Sequence, residues 1–142
     1  MRLAVSGAPV GEIARRRVDE RGVAALVYDA SDGSRASVIV MRTAGGYRAW
    51  RNRCPHWGVP LAPPRGPFLD ETGERLRCLS HGALFRPEDG VCEDGPCPGA
   101  SLEAFTVEEC GEVLRIHEPS PVRLSASRGT VRLAVPGVGE EA

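Results

Sequence analysis

Two short stretches carry residues whose types and spacing could do chemistry: Cys54-Pro55-His56 and Cys78-Leu79-Ser80-His81. The members of the first pair are one residue apart, those of the second two apart, and residues 57 to 77 lie between the pairs. Two thiolates and two imidazoles at such spacings make a metal site. Zinc competes, because two Cys and two His suit a tetrahedral ion. Zinc modules, however, usually bring their cysteines together as C-x₂₋₄-C and their histidines together elsewhere. Here each stretch supplies one Cys and one His, which fits two irons better: one held by both thiolates, the other by both imidazoles. Neutral imidazoles leave less negative charge on their iron, so an added electron is expected there.

These residues need strands that end in loops. Val23–Tyr28, the turn residues 31–34, Val38–Arg42, Ala44-Gly45-Gly46 and Tyr47–Arg51 read as strands joined by tight reversals. Phe68-Leu69 and Arg75–Arg77 suggest a second hairpin around Glu71-Thr72-Gly73, and Ala83–Phe85 and Val91 a third around Pro87–Gly90. Ala104–Val107 and Val113–Ile116 flank Cys110-Gly111 as a fourth. Short strands at this spacing predict an all-β antiparallel domain, a small barrel or sandwich. Residues 1–21 read as an N-terminal extension with at most a helical turn near Val10–Arg16, residues 22–118 as the domain, and 119–142 as a tail. Alternation around Arg128-Gly129 allows that tail an added hairpin.

The pattern Cys54-x-His56…Cys78-x-x-His81 resembles the Rieske [2Fe–2S] ferredoxin motif, over about residues 22–116. Asn52–Leu61 is similar to that family's first cluster loop, His81–Phe85 to its second, and Gly95-Pro96-Cys97-Pro98 to its covering Gly-Pro-x-Pro loop. The resemblance implies one [2Fe–2S] cluster, with Cys54 and Cys78 on the buried iron and His56 and His81 on the outer one. It implies a base of β-sheets with a cluster-binding subdomain at one end. High-potential relatives carry an extra loop disulfide and two hydroxyl donors; the matching positions here are Val59 and Ser80, and Ala83 and Phe85. The resemblance is therefore to soluble oxygenase ferredoxins and nitrite-reductase small subunits. It implies a potential at the low end of the Rieske range, on the order of −150 mV.

Other features have plainer readings. The sequence has five cysteines. Cys92 and Cys97 read as buried or partly buried thiols near the covering loop, with a disulfide, redox thiols or additional ligands as the alternatives, and Cys110 as a free thiol in a turn. His117 reads as a surface residue and Trp50 as core; Trp57, next to a ligand candidate, either shields the site or faces a partner. Residues 86–118 hold nine acids against Arg86 and Arg115, net −7 in a chain of net −1. That stretch is either a solvated face or an acidic docking surface for a basic redox partner.

With 142 residues, 42% hydrophobic and 26% charged, the chain is sized for one globular domain. Its net charge argues against nucleic acid, and no apolar run is long enough for a membrane anchor. No export signal is visible, so a reducing cytoplasmic location is expected. All 18 basic residues are Arg, a bias read as genomic composition. A ring-hydroxylating oxygenase needs a mononuclear iron site, and no residues remain to build one. No flavin or nicotinamide fingerprint is present. The expectation is therefore a one-electron carrier from a reductase to an oxygenase or similar acceptor, not itself an enzyme. The alternatives are a permanent small subunit of an oxidoreductase, or a metal-stapled structural or regulatory module.

Overall fold

The computed structural model of the protein describes residues 8–119 apart from 31, 56, 57, 96 and 97. Its organising element is a strand with no polar residue for four positions. Val38-Ile39-Val40-Met41 lies inside β3 (Arg35–Thr43). Alternate side chains of a strand point to opposite faces. Such an unbroken apolar run therefore suits a strand covered on both sides. Val38 and Val40 enter one core with Tyr28, Phe105, Leu114 and Ile116. Ile39 and Met41 enter a second with Trp50, Leu61, Phe68, Phe85 and the two cysteines Cys54 and Cys78. Each fully buried Val or Ile contributes about 1.5–3 kcal/mol.

The first core fills the inside of a curled six-stranded antiparallel sheet. Its strands are β1 (Pro9–Ala14), β2 (Val23–Asp29), β3, β4 (Gly46–Arg51), β8 (Ala104–Cys110) and β9 (Val113–His117). Their spatial order is β1-β9-β8-β4-β3-β2. The two edges approach each other: a Cβ on Gly11 of β1 would stand 3.2 Å from the Leu26 side chain of β2. The second core lies between the outer face of β2–β4 and a small layer holding a three-stranded sheet. That sheet is β5 (Leu76–Arg77), β6 (Leu84–Phe85) and β7 (Cys92–Asp94), in sequence order.

The antiparallel all-β architecture agrees with the sequence reading, and hairpins β2–β3–β4 and β8–β9 fall where expected. Three details differ. Of the residues expected to hold a helical turn at Val10–Arg16, Val10–Ala14 instead lie in β1, paired with β9 from Pro9↔His117 to Ala14↔Val113, and only Arg15 and Arg16 are helical. The helix α1 follows at Arg15–Arg21 and buries Val18. Gly22 ends it at φ +79, donating its N–H to the Val18 carbonyl. The presumed extension thus supplies an edge strand, because pairing with distant β9 outweighs the local helical preference. The second expected hairpin is reduced to a Leu69↔Leu76 bridge, and Leu76 and Arg77 pair instead with Phe85 and Leu84. In the third, Val91 bridges Ser101 and β7 begins at Cys92. The tail hairpin around Arg128-Gly129 lies outside the described residues.

Candidate metal centre

Cys54 follows β4 by three residues and Cys78 follows β5 directly, so both sheets end in loops that meet. The two loops are built alike. Cys54 N–H donates to the Val59 carbonyl at 2.7 Å, and Gly58 N–H returns to the Cys54 carbonyl at 2.7 Å. Cys78 N–H donates to the Ala83 carbonyl at 2.9 Å, and Gly82 N–H to the Cys78 carbonyl at 2.8 Å. Each loop therefore closes over six residues, with a glycine four after the cysteine. Gly58 has φ +73 and Gly82 φ +77, in the left-handed region that favours glycine. A further bond, Leu79 N–H to the Leu61 carbonyl at 2.8 Å, ties one loop to the other.

One buried side chain fixes the first loop. Asn52 Oδ1 accepts from Leu61 N–H at 2.9 Å, and Asn52 Nδ2 donates to the Ala62 carbonyl at 2.8 Å. Nδ2 also donates to Ser37 Oγ on β3 at 2.9 Å. The second loop is held from behind by Gly95, where a Cβ would stand 2.7 Å from Ala83 Cα. The β6–β7 turn is anchored to β4: Trp50 Nε1 donates to the Pro87 carbonyl at 3.1 Å, and Trp50 is buried as expected.

The loops bring Cys54 and Cys78 together, both 0% exposed. Burial pushes the Cys78 thiol up, and the adjacent Cys54 sulfur adds to this. Backbone N–H groups of His81 and Ser80 aimed at the Cys78 sulfur act in the opposite direction. Two buried thiols not joined in a disulfide, with amide donors aimed at one of them, form a pair prepared for a bound cation. His81 stands on the exposed rim of the second loop, so the thiols face inward and this imidazole outward. His56 lies outside the described residues, and among those residues no group of three or more Cys, His, Asp or Glu donors is complete. The described donor set, two buried thiols below an exposed imidazole, fits a two-iron centre with soft ligands inside.

Around the thiols, Ala83 and Phe85 are fully buried and offer no hydroxyl, while Val59 and Ser80 are exposed. Val59 is 39% and Leu79 44% exposed, an apolar collar on the two loops. Cys92 is buried, with its sulfur 3.2 Å from the Asp94 carbonyl, and Cys110 is half-buried at the end of β8. Cys97 and Trp57 are outside the described residues.

One expectation is corrected and another narrowed. His117 is not a surface residue; it is 7% exposed, with Nε2 3.0 Å from Glu108 Oε1, because β1 and β8 flank it on both sides. In the acidic stretch 86–118 six of the nine acids are held in ion pairs, while Asp94, Glu112 and Glu118 form none among the described residues. Glu88 pairs with Arg48, Asp89 with Arg86, Glu93 with Arg75 and Arg86, Glu103 with Arg51, Glu108 with Arg115, and Glu109 with Arg15. Sequence reasoning also missed Asn52 and the paired glycines; the signal was a Gly four residues after each Cys.

Among the described residues no helix is long and apolar enough to cross a membrane. The chain is 32% identical over 120 residues to the carotenoid phi-ring synthase of Chlorobaculum tepidum, covering 84% of this chain and 17% of that protein. It is 36% identical over 73 residues to oxidoreductase NdmD of Pseudomonas putida, covering 46% of this chain and 12% of that protein. It therefore spans under a fifth of either relative. Its fold matches the terminal oxygenase of carbazole 1,9a-dioxygenase from Novosphingobium sp. KA1 with TM-score 0.62 and 16% identity, over 85% of this chain and 32% of that one. It also matches a chain in the complex of reduced oxygenase and oxidized ferredoxin in carbazole 1,9a-dioxygenase, with TM-score 0.56 and 20% identity, over 85% of this chain and 96% of that one. The family model for the Rieske [2Fe-2S] domain matches residues 11–116, nearly all of both sheets and both loops, and the chain belongs to that family.

Proposed function

We propose that Cys54, His56, Cys78 and His81 hold a Rieske [2Fe–2S] cluster through which this chain passes single electrons between partner proteins. The observation that carries this reading is the twin-loop geometry: two buried thiols face each other and His81 lies on the exposed rim. When bound, the cluster supplies one reversible electron. The chain's own residues set its surroundings. The backbone N–H groups of Ser80 and His81 donate toward the Cys78 sulfur and compensate negative charge there. Leu61, Phe85 and Ala83 exclude water from the thiolate side. The exposed His81 edge and the apolar collar of Val59 and Leu79 leave the opposite side open to a partner.

The acceptor class is an oxygenase or another oxidoreductase component, and the donor a reductase. Relatives several times longer than this chain favour a second form of the same role, a relay module held permanently within a larger oxidoreductase. The full chain, purified anaerobically, should be brown and contain two irons and two labile sulfides, with a reversible one-electron midpoint. A colourless protein with one zinc sinks the reading in favour of a metal-stapled module. Gel filtration of the native complex separates carrier from relay: a carrier elutes alone, a relay with its enzyme.

A further inference from the structure

The chain's arginines are distributed unevenly between neutralised and free positions. Arg15, Arg16, Arg35, Arg42, Arg48, Arg51, Arg75, Arg77, Arg86 and Arg115 each form an ion pair with a carboxylate. Among the described residues only Arg17, Arg21, Arg53 and Arg65 have no such pair. Three of these four, Arg17, Arg21 and Arg65, are exposed on one cleft of about 990 Å³ between α1–β2 and the Pro64–Leu69 segment. The carboxylate on its rim, Glu20, faces Arg16 at 3.9 Å. The floor is apolar, formed by Val23, Phe68 and Leu69.

This cleft is joined to the metal centre. Pro64 lines both it and a neighbouring cleft of about 670 Å³, whose walls include Gly58, Leu79 and Ser80 of the two loops. The fourth free arginine, Arg53, lies there, with its guanidinium 3.3 Å from where a Gly58 Cβ would be. Free arginines thus stand in both adjoining clefts, three beside α1 and Arg53 beside the first loop, where the cleft also holds Asp32, a carboxylate with no ion pair among the described residues. Of the nine acids that sequence suggested as a docking face, six are held by arginines.

We propose that the cleft of Arg17, Arg21 and Arg65 is a docking groove for an acidic, carboxylate-rich segment of a redox partner protein, guiding that partner toward the adjoining loops. Guanidinium forks match carboxylates, and a like-signed cleft steers an oppositely charged partner. The apolar floor and the chain's overall net charge of −1 favour protein over nucleic acid. The partner's redox role rests on the function proposed above; the groove's preference for carboxylates does not.

The test uses the full cluster-loaded chain and a fluorescein-labelled octaglutamate peptide, followed by anisotropy at low and moderate salt. Arg17→Glu/Arg21→Glu/Arg65→Glu is compared with Arg48→Glu/Arg86→Glu/Arg115→Glu, which changes net charge equally at paired arginines outside both clefts. Wild type should bind, more weakly as salt rises, with the groove variant at least about tenfold weaker and the control less than about threefold weaker. Unchanged visible absorption shows that the groove variant is folded. Should it lose colour, Arg65→Glu alone is used and should still weaken binding by about threefold. Absence of salt-sensitive binding by wild type, or equal losses in both triple variants, overturns the proposal. Tighter binding of an oligothymidylate of equal charge, lost in the same variant, also overturns it, in favour of a nucleic-acid surface. Peptide binding that survives in a protein lacking any reversible midpoint sinks the electron-transfer role and leaves the groove standing.

Discussion

Replacing Asn52 by alanine tests whether the first loop is held by one buried amide. The substitution removes the acceptor for Leu61 N–H at 2.9 Å and the donor to the Ala62 carbonyl at 2.8 Å. Leu61 and Ala62 are both buried, so water does not readily replace either bond. A buried polar group left unpaired costs about 1–3 kcal/mol. Two such groups make a loss of about 3 kcal/mol, which for a domain of this size lowers the melting midpoint by about 10 °C. The assay is thermal unfolding of the loaded protein, followed by far-ultraviolet circular dichroism and by visible absorption at one fixed scan rate. Iron release to a chelator should also be faster, because Asn52 is two residues before Cys54. Thr72→Ala, in an exposed turn, serves as the control and should change stability by less than about 0.5 kcal/mol. An Asn52→Ala midpoint within about 3 °C of wild type would show that this amide does not hold the loop.

Cys54→Ser or Cys78→Ser should abolish the visible absorption, whereas Cys92→Ser and Cys110→Ser should keep it; loss of colour in the Cys92 variant alone would reassign the ligand set. Phe85→Tyr adds a hydroxyl beside the thiol pair, and a hydrogen bond that stabilises the reduced state by about 1.4 kcal/mol raises a one-electron midpoint by about 59 mV. An unchanged midpoint in that variant would show that the amide donors of Ser80 and His81 dominate the potential. Stability should fall in acid: the Tyr47 hydroxyl and Arg42 hold Asp19 below the usual carboxylate range, and Thr43, the Gly45 N–H and Arg48 do the same for Glu88. Groups with lowered folded values stabilise above their unfolded values near pH 4 and lose that contribution as pH falls through the folded ones. Glu88→Gln should therefore show a smaller drop in melting midpoint between pH 5.5 and pH 3 than wild type; an equal drop would contradict the assignment.

Local pattern was enough to find the strands that hold the site. Val38–Met41 is apolar without interruption because β3 is covered on both faces, and Gly45-Gly46 marks the reversal into β4. Cys54, His56, Cys78 and His81 were visible as candidates because ligand spacing is a property of short loops. What stayed hidden depends on contacts between distant residues. Pro9–Ala14 looks helical or mixed alone, and only β9 makes it a strand. His117 is a strand-end polar residue in sequence, and burial follows from flanking strands more than a hundred residues and about ten residues away. The acidic stretch has a net charge of its own, yet Arg15, Arg48, Arg51 and Arg75 reach it from other elements. The same pairing shows which arginines remain free, and no local sequence window contains that information.

The proposed mixed ligation places two thiolates on one iron and two imidazoles on the other. The chain has three histidines, so selective ¹⁵N labelling of histidine is clean. Electron–nuclear double resonance on the reduced, labelled full chain measures the ligands directly. Mixed ligation predicts strong couplings to two histidine nitrogens, both lost in His81→Ala together with the cluster, and both kept in His117→Ala. A reduced cluster with no strong histidine nitrogen coupling would contradict it.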